Sequence, residues 1–170
     1  MLAFVGRPVI RMILVAIPVL GLQTTIVADM RPFDVTLQLM LLLGAASGAI
    51  AGPERGALAG FLFGLFFDMT LTTPLGLAAL SCGLAGYVAG YVQSITVTPP
   101  WWLSALFVGL GSAVGELAFP LAQSVVGKEG WVQGRLFVVV PVVAVANLIL
   151  APLAVPAARW WTKTPKPVQV

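Results

Sequence analysis

Residues 52–92, "GPERGALAGFLFGLFFDMTLTTPLGLAALSCGLAGYVAGYV", decide the fold. The only charged residues in this stretch are Glu54 and Arg55 at its start and Asp68 near its middle, where a threonine-rich turn interrupts the apolar run. Glycines recur every four residues on both sides of that turn: Gly56, Gly60 and Gly64, then Gly86 and Gly90. Small residues at this spacing allow helix backbones to approach closely in a membrane. The stretch therefore predicts two closely packed membrane helices with an acid at the turn between them.

The composition of the whole chain agrees with a membrane protein. Hydrophobic residues make up 59% of it and charged residues 9%, and the mean hydropathy is +1.03, whereas about a quarter of the residues in a soluble domain are charged. Charge-free runs at 12–28, 35–53, 69–115 and 136–158 are long enough to span a bilayer. We therefore predict an all-α bundle of about six transmembrane helices in one domain, residues 1–162, followed by a short basic cytoplasmic tail, residues 163–170. The predicted spans are Pro8–Ala28, Val35–Gly52, Gly56–Leu71, Leu75–Thr96, Trp101–Val126 and Leu136–Ala158.

The loop charges predict the orientation of the bundle. With both termini in the cytoplasm, the inner side would hold six basic residues and the outer side three, which fits the positive-inside rule. The inner set is Arg7, Arg11, Arg55, Arg159, Lys163 and Lys166, and the outer set is Arg31, Lys128 and Arg135. The pairs Trp101–Trp102 and Trp160–Trp161 fall at the same predicted inner interface, as an aromatic belt would. The net charge of +3 thus reflects membrane orientation and not nucleic-acid binding.

The first span could alternatively be a signal peptide. Ile26 is a poor residue three positions before a cut after Ala28, so we expect the span to be retained as a helix.

Several kinds of chemistry have no residues to support them. The chain has no histidine and one cysteine, Cys82, and it lacks phosphate-loop, HExxH and GxSxG patterns. We therefore expect no catalytic residue, no metal and no cofactor, and predict that the chain is not an enzyme.

Two acids and one amide form a predicted polar layer. Asp68 and Glu116 lie thirteen residues after Arg55 and fifteen after Trp101, which places both roughly 20 Å from the inner face. Gln23 falls at a similar height. Acids in apolar spans are costly and are functional-site hypotheses. For Asp68, a helix cap in the turn that Pro74 stiffens and a functional site both remain open, and for Glu116 the functional interpretation is favoured.

The glycines and the remaining polar residues have simpler interpretations. We expect the glycine faces, including Gly111 and Gly115, to pack inside the bundle, with a partner helix as the alternative. Asn147 is expected to form a helix-to-helix hydrogen bond, Tyr87 and Tyr91 to anchor an interface, and Cys82 to be buried.

Residues 52–92 resemble the rod shape-determining protein MreD family. The matching order is a basic residue, an apolar helix reading GF-x-x-GL, an Asp at its end, a turn ending in PLG, and a helix reading GLAAL and G-Y-x-x-G. The upstream "RPFDVTLQLMLLLGAASG" is similar to the second span of the family, so about 60 residues carry the likeness. The matched positions are Gly60, Gly64, Asp68, Pro74, Gly76 and Gly86; Glu116 falls outside the match.

The resemblance implies a non-enzymatic scaffold in the bacterial inner membrane. It would bind MreC and help position lateral cell-wall synthesis, with a RodA-type glycosyltransferase, a class B penicillin-binding protein, MreB and membrane lipid as further partners. The resemblance also implies a fold similar to the substrate-binding subunits of energy-coupling-factor importers. The alternative function is therefore a small-solute-binding subunit of such a transporter, with Gln23, Asp68 and Glu116 lining an outward-facing pocket.

Overall fold

The computed structural model describes residues 2–27, 35–72, 74–96, 100–127 and 136–163. Within these ranges the chain forms six α-helices and one π-helical segment, Gln23–Val27, which continues the first helix. The helices are α1 Leu2–Leu22, α2 Leu39–Ala51, α3 Pro53–Asp68, α4 Leu77–Ile95, α5 Trp101–Val125 and α6 Leu136–Thr162. The prediction of a six-helix all-α bundle is confirmed. Arg31, Lys128, Arg135 and the tail beyond Lys163 lie outside the described residues.

Three helical stretches are long and apolar enough to cross a membrane: Pro8–Thr25, Trp101–Val125 and Leu136–Thr162. A straight span needs about 20 residues, and α2 and α3 have 13 and 16. Helix α2 nevertheless lies at the centre of the bundle, against α3, α4, α5 and α6. Ten of its 13 residues are buried, so neighbouring helices surround it and it needs little contact with lipid.

Two glycines reverse the chain between neighbouring helices. Gly52 has a φ of 86° between α2 and α3, and Gly76 has a φ of 104° just before α4. This region of backbone space is unfavourable for residues that carry a Cβ. Pro53 then starts α3, where a missing N–H costs nothing. The reversals make α2 antiparallel to α3, and α3 antiparallel to α4.

The glycines on α2, α3 and α4 lie where these helices cross most closely. A Cβ added to Gly44 would lie 2.9 Å from the Gly60 Cα and 3.0 Å from the Cys82 carbonyl oxygen. Similarly, Gly48 faces the Gly86 carbonyl, and Gly64 faces the backbone of Ala78 and Ala79. Backbone therefore packs directly on backbone along this three-helix interface.

The bundle has two distinguishable ends. At the end that we call the arginine end, Arg11 on α1 donates a hydrogen bond to the Trp160 carbonyl oxygen (3.1 Å), and its guanidinium lies 5.4 Å from the Trp160 ring centroid. The beginning of the apolar stretch Pro8–Thr25 and the end of α6 are thus together. Gln23, Asp68 and Glu116 lie toward the opposite end, which we call the acid end.

Trp161 does not belong to an aromatic belt, and that prediction is wrong. Its side chain is 1% exposed, its Nε1–H donates to Ser47 Oγ at 2.9 Å, and its ring meets Phe63 edge-on with centroids 5.9 Å apart. Trp101, Trp102 and Trp160 are exposed. The error arose because adjacent helical residues point about 100° apart, so one tryptophan of a pair can face the core while the other faces outward.

The bond between Trp161 and Ser47 joins α6 to α2 and can be tested by a double-mutant cycle. Ser47→Ala leaves a buried indole N–H without an acceptor, which we expect to cost about 1–3 kcal/mol. Trp161→Phe removes the donor and also leaves a cavity in the core, so we expect it to cost more. Because the two changes remove one bond, the double variant should be less destabilised than their sum. Thermal unfolding in detergent measures all three, with exposed Trp102→Phe as the control. Strict additivity would show that the bond contributes nothing to stability.

Candidate functional site

Asp68 ends α3 and binds the beginning of α4. Its Oδ2 accepts hydrogen bonds from the N–H groups of Gly76 and Ala79 at 2.9 and 3.0 Å, and its Oδ1 accepts one from Ala78 at 3.0 Å. The first N–H groups of a helix have no partner within the helix, and the positive end of the helix dipole favours an anion there. The side chain is 1% exposed. Asp68 thus has the geometry of a helix cap, placed eight residues before the first residue it caps.

Gly76 and Pro74 complete this turn. The positive φ of Gly76 directs its N–H toward the Asp68 carboxylate, which a residue with a Cβ could achieve only with strain. Pro74 is exposed and makes no described bond to Asp68. Both carboxylate oxygens are occupied inside the bundle, so these contacts support the helix-cap interpretation of Asp68 over the functional-site interpretation.

Gln23 caps the N-terminus of another helix, α2. Its Oε1 accepts a hydrogen bond from the N–H of Met40, in the first turn of α2, at 3.1 Å. The α2 N-terminus has no side-chain cap from Gln38, the residue that precedes it. Gln23 comes from the π-helical segment at the end of α1, so this bond also ties α1 to the bundle.

Glu116 lies in the same end of the bundle but differs from both caps. It is 7% exposed, and its Oε2 is buried with no hydrogen-bond partner. The adjacent Gly115 packs against Leu41, Ala85 and Ser81, which places Glu116 near the level of the first turn of α2 and the second turn of α4. The structure thus brings all three predicted polar residues to one end, and only Glu116 has an oxygen left unpaired.

Asn147 and Ser112 form the polar contact between α5 and α6. The Asn147 Nδ2–H donates to Ser112 Oγ at 2.9 Å, which confirms the predicted helix-to-helix bond. Asn147 is fully buried, yet its Oδ1 has no partner. Cys82 is buried, as predicted, and Tyr87 and Tyr91 stack on the exposed face of α4 with centroids 6.3 Å apart.

The glycines matched to the family lie inside the bundle. Gly60 faces the backbone of Cys82 and Gly83, and Gly86 faces the backbone of Gly56 and Gly44. These are the contacts of internal packing, and they leave these glycine faces covered by the chain itself.

Two residues of the polar region were missed by the sequence analysis. Ser112 precedes Glu116 by four residues, and Gln123 follows it by seven. Helical periodicity therefore places all three residues on one face of α5. Gln123 is 1% exposed and its Oε1 lacks a partner. The periodicity was available in the sequence as a signal. Within the described ranges, no group of three or more His, Cys, Asp or Glu side chains could hold a metal ion.

These features define an all-helical membrane protein in which buried polar side chains bind helix N-termini and glycines bring the helices together. The family model for the rod shape-determining protein MreD matches residues 3–153 of the 170. The chain therefore belongs to the MreD family, which makes it a shape-determining membrane protein of the rod-shape system. No match was found among curated proteins or among solved structures. The similarity to energy-coupling-factor subunits accordingly stays a prediction.

Proposed function

We propose that this chain is a non-enzymatic scaffold that binds MreC and helps position lateral cell-wall synthesis. It lies in the bacterial inner membrane as a multi-pass protein with both termini in the cytoplasm. Its further partners are a RodA-type glycosyltransferase, a class B penicillin-binding protein and MreB. The observation that carries the proposal is the family match along residues 3–153.

The geometry supports a scaffold in two ways. The contact between Arg11 and Trp160 brings the beginning of the apolar stretch Pro8–Thr25 to the end of α6, which is consistent with two cytoplasmic termini. Asp68, Gln23 and the glycine faces are used within the bundle, so they hold a fixed shape and offer no open reactive group. Contacts with partners then fall on the exposed apolar faces, such as that of α4 with Leu80, Leu84 and Tyr87.

One observation favours the alternative, a solute-binding subunit of an energy-coupling-factor-type transporter. Glu116 is buried with an unpaired oxygen, which a ligand could bind. Asp68 and Gln23, the other predicted pocket residues, are already hydrogen-bonded to the protein backbone.

Affinity purification of the tagged chain from its native membrane in mild detergent, followed by mass spectrometry, separates the two functions. A scaffold should co-purify with MreC and cell-wall synthases, in excess over an unrelated six-helix membrane protein carrying the same tag. Recovery of ATPase subunits instead, or of the chain alone with a bound small molecule, would overturn the scaffold proposal.

A further inference from the structure

We propose that the buried oxygens around Glu116 and Asn147 form a binding site for one monovalent metal cation between α5 and α6. The site goes beyond the proposed scaffold function and does not depend on it.

The two side chains lie at neighbouring levels of one interface. Asn147 on α6 is hydrogen-bonded to Ser112 on α5 at 2.9 Å. Glu116 follows Ser112 by one turn on α5, which separates the two by about 6 Å along the helix and about 40° around it. Glu116 therefore lies one turn closer to the acid end than the Ser112–Asn147 bond, on the same side of α5.

The site contains acceptors that lack donors. Glu116 Oε2 and Asn147 Oδ1 are both buried without a hydrogen-bond partner, in residues that are 7% and 0% exposed. Pro120, four residues after Glu116, has no N–H to give to the Glu116 backbone carbonyl. Buried polar groups in native proteins are almost always paired. Two buried side-chain oxygens without a described donor, at neighbouring levels of one interface, therefore indicate an occupant that carries positive charge.

The charge of this occupant cannot come from the side chains described here. Arg55, Arg159 and Lys163 lie near helix termini at the arginine end, and Arg11 is bonded to Trp160 there, whereas Glu116 lies toward the acid end. A buried carboxyl group in an apolar setting either carries a proton or is balanced by an opposite charge, and the sodium titration described below distinguishes the two.

The oxygens also suit the proposed ion. Carboxylate and carbonyl oxygens are the ligands that hard metal cations prefer. A single carboxylate balances a single positive charge. Divalent ions are generally held by more carboxylates, and the described residues contain no group of three or more acids, histidines and cysteines.

Gln123 lies between the site and the acid end. It follows Glu116 by seven residues on the same face of α5, about 10 Å further along the helix. Its side chain is buried and its Oε1 is unpaired. It is a polar residue on the path by which an ion would reach Glu116.

Sodium binding to the intact purified protein tests this proposal. The protein is kept in detergent with N-methylglucamine chloride, and ²²Na⁺ is titrated at constant ionic strength, with K⁺ as competitor. We expect saturable binding of one ion per chain. The midpoint of thermal unfolding, followed by tryptophan fluorescence, should rise by about 8 °C when sodium reaches 100 times its dissociation constant.

Variants locate the site. Glu116→Gln and Asn147→Ala should each abolish the binding and the sodium-dependent rise. Glu54→Gln, the same acid-to-amide change at an exposed position at the start of α3, should leave both unchanged. If Glu116→Gln does not fold, the wild-type ²²Na⁺ titration still decides whether a site exists.

Three results would overturn the proposal. The first is that the protein shows no saturable ²²Na⁺ binding and is not stabilised by Na⁺ or K⁺. The second is that ²²Na⁺ binding persists in both variants. The third is that Ca²⁺ alone stabilises the protein. A Glu116 that simply carries a proton gives the first result, with Glu116→Gln as stable as the wild type. None of these outcomes affects recovery of MreC, so the failure of the cation site and the failure of the scaffold proposal are distinguishable.

Discussion

Alanine in place of Gly48 should prevent the central helices from packing. The added Cβ would collide with the Gly86 carbonyl group and would lie 3.0 Å from the Gly90 nitrogen. All of the nearest atoms are backbone, so no flexible side chain can move aside, and α2 or α4 would have to shift as a whole. Overpacking a core costs about 1–3 kcal/mol when side chains can adjust. We expect a larger loss here, seen as little or no monodisperse protein by size exclusion in detergent.

Gly21→Ala is the matched control for this prediction. It introduces the same methyl group into a helix, at a position where nothing lies within 4 Å, and alanine favours the helix over glycine. Its yield and unfolding midpoint should equal or exceed those of the wild type. If Gly48→Ala behaves like Gly21→Ala, the close crossing of α2 and α4 is not required for folding.

Asp68→Asn is the second change with a large expected effect. The carboxylate accepts three buried N–H groups, and bonds to a charged acceptor contribute about 1.5–3 kcal/mol each. Asparagine keeps the shape but has one acceptor oxygen, and its amide N–H₂ would face N–H groups of α4. We expect a loss of about 3 kcal/mol or more, measured as a lower midpoint of thermal unfolding in detergent.

Glu54→Gln removes the same charge at an exposed site in the first turn of α3. It should cost only a few tenths of a kcal/mol through the helix dipole. An Asp68→Asn variant that unfolds like Glu54→Gln would contradict the cap. If that variant also failed to recover MreC, the carboxylate would serve the partner, in agreement with the functional-site interpretation of Asp68.

Much of the fold could be predicted because hydropathy and helix-breaking residues are local properties. The predicted spans near Trp101–Val126 and Leu136–Ala158 match α5 and α6 within four residues. Helix α3 ends at Asp68 and not at Leu71, because the Asp68 side chain turns to the N-terminus of α4. That bond joins residues 8 to 11 positions apart, and hydropathy carries no information about it.

The candidate site could be predicted only in part, because hydropathy carries no information about hydrogen bonds between distant residues. Depth along a helix follows from residue count, so Gln23, Asp68 and Glu116 could be assigned to one layer from the sequence. Whether each of these side chains is hydrogen-bonded within the protein depends on the rotation of its helix and on contacts between distant segments. Trp161 and Ser47, 114 residues apart, show this most clearly, since neither residue is unusual in its own stretch of sequence.

The contacts of α1 with the rest of the bundle determine the order in which the helices can assemble during translation. Helix α1 leaves the ribosome first, but its bond at the arginine end is to Trp160, 149 residues later. Its bond at the acid end, from Gln23 to Met40, can form as soon as α2 has been synthesised. During translation the contact of α1 with α6 therefore forms later than its contacts with α2 and α3. The bond between α1 and α6 thus waits for the synthesis of α6.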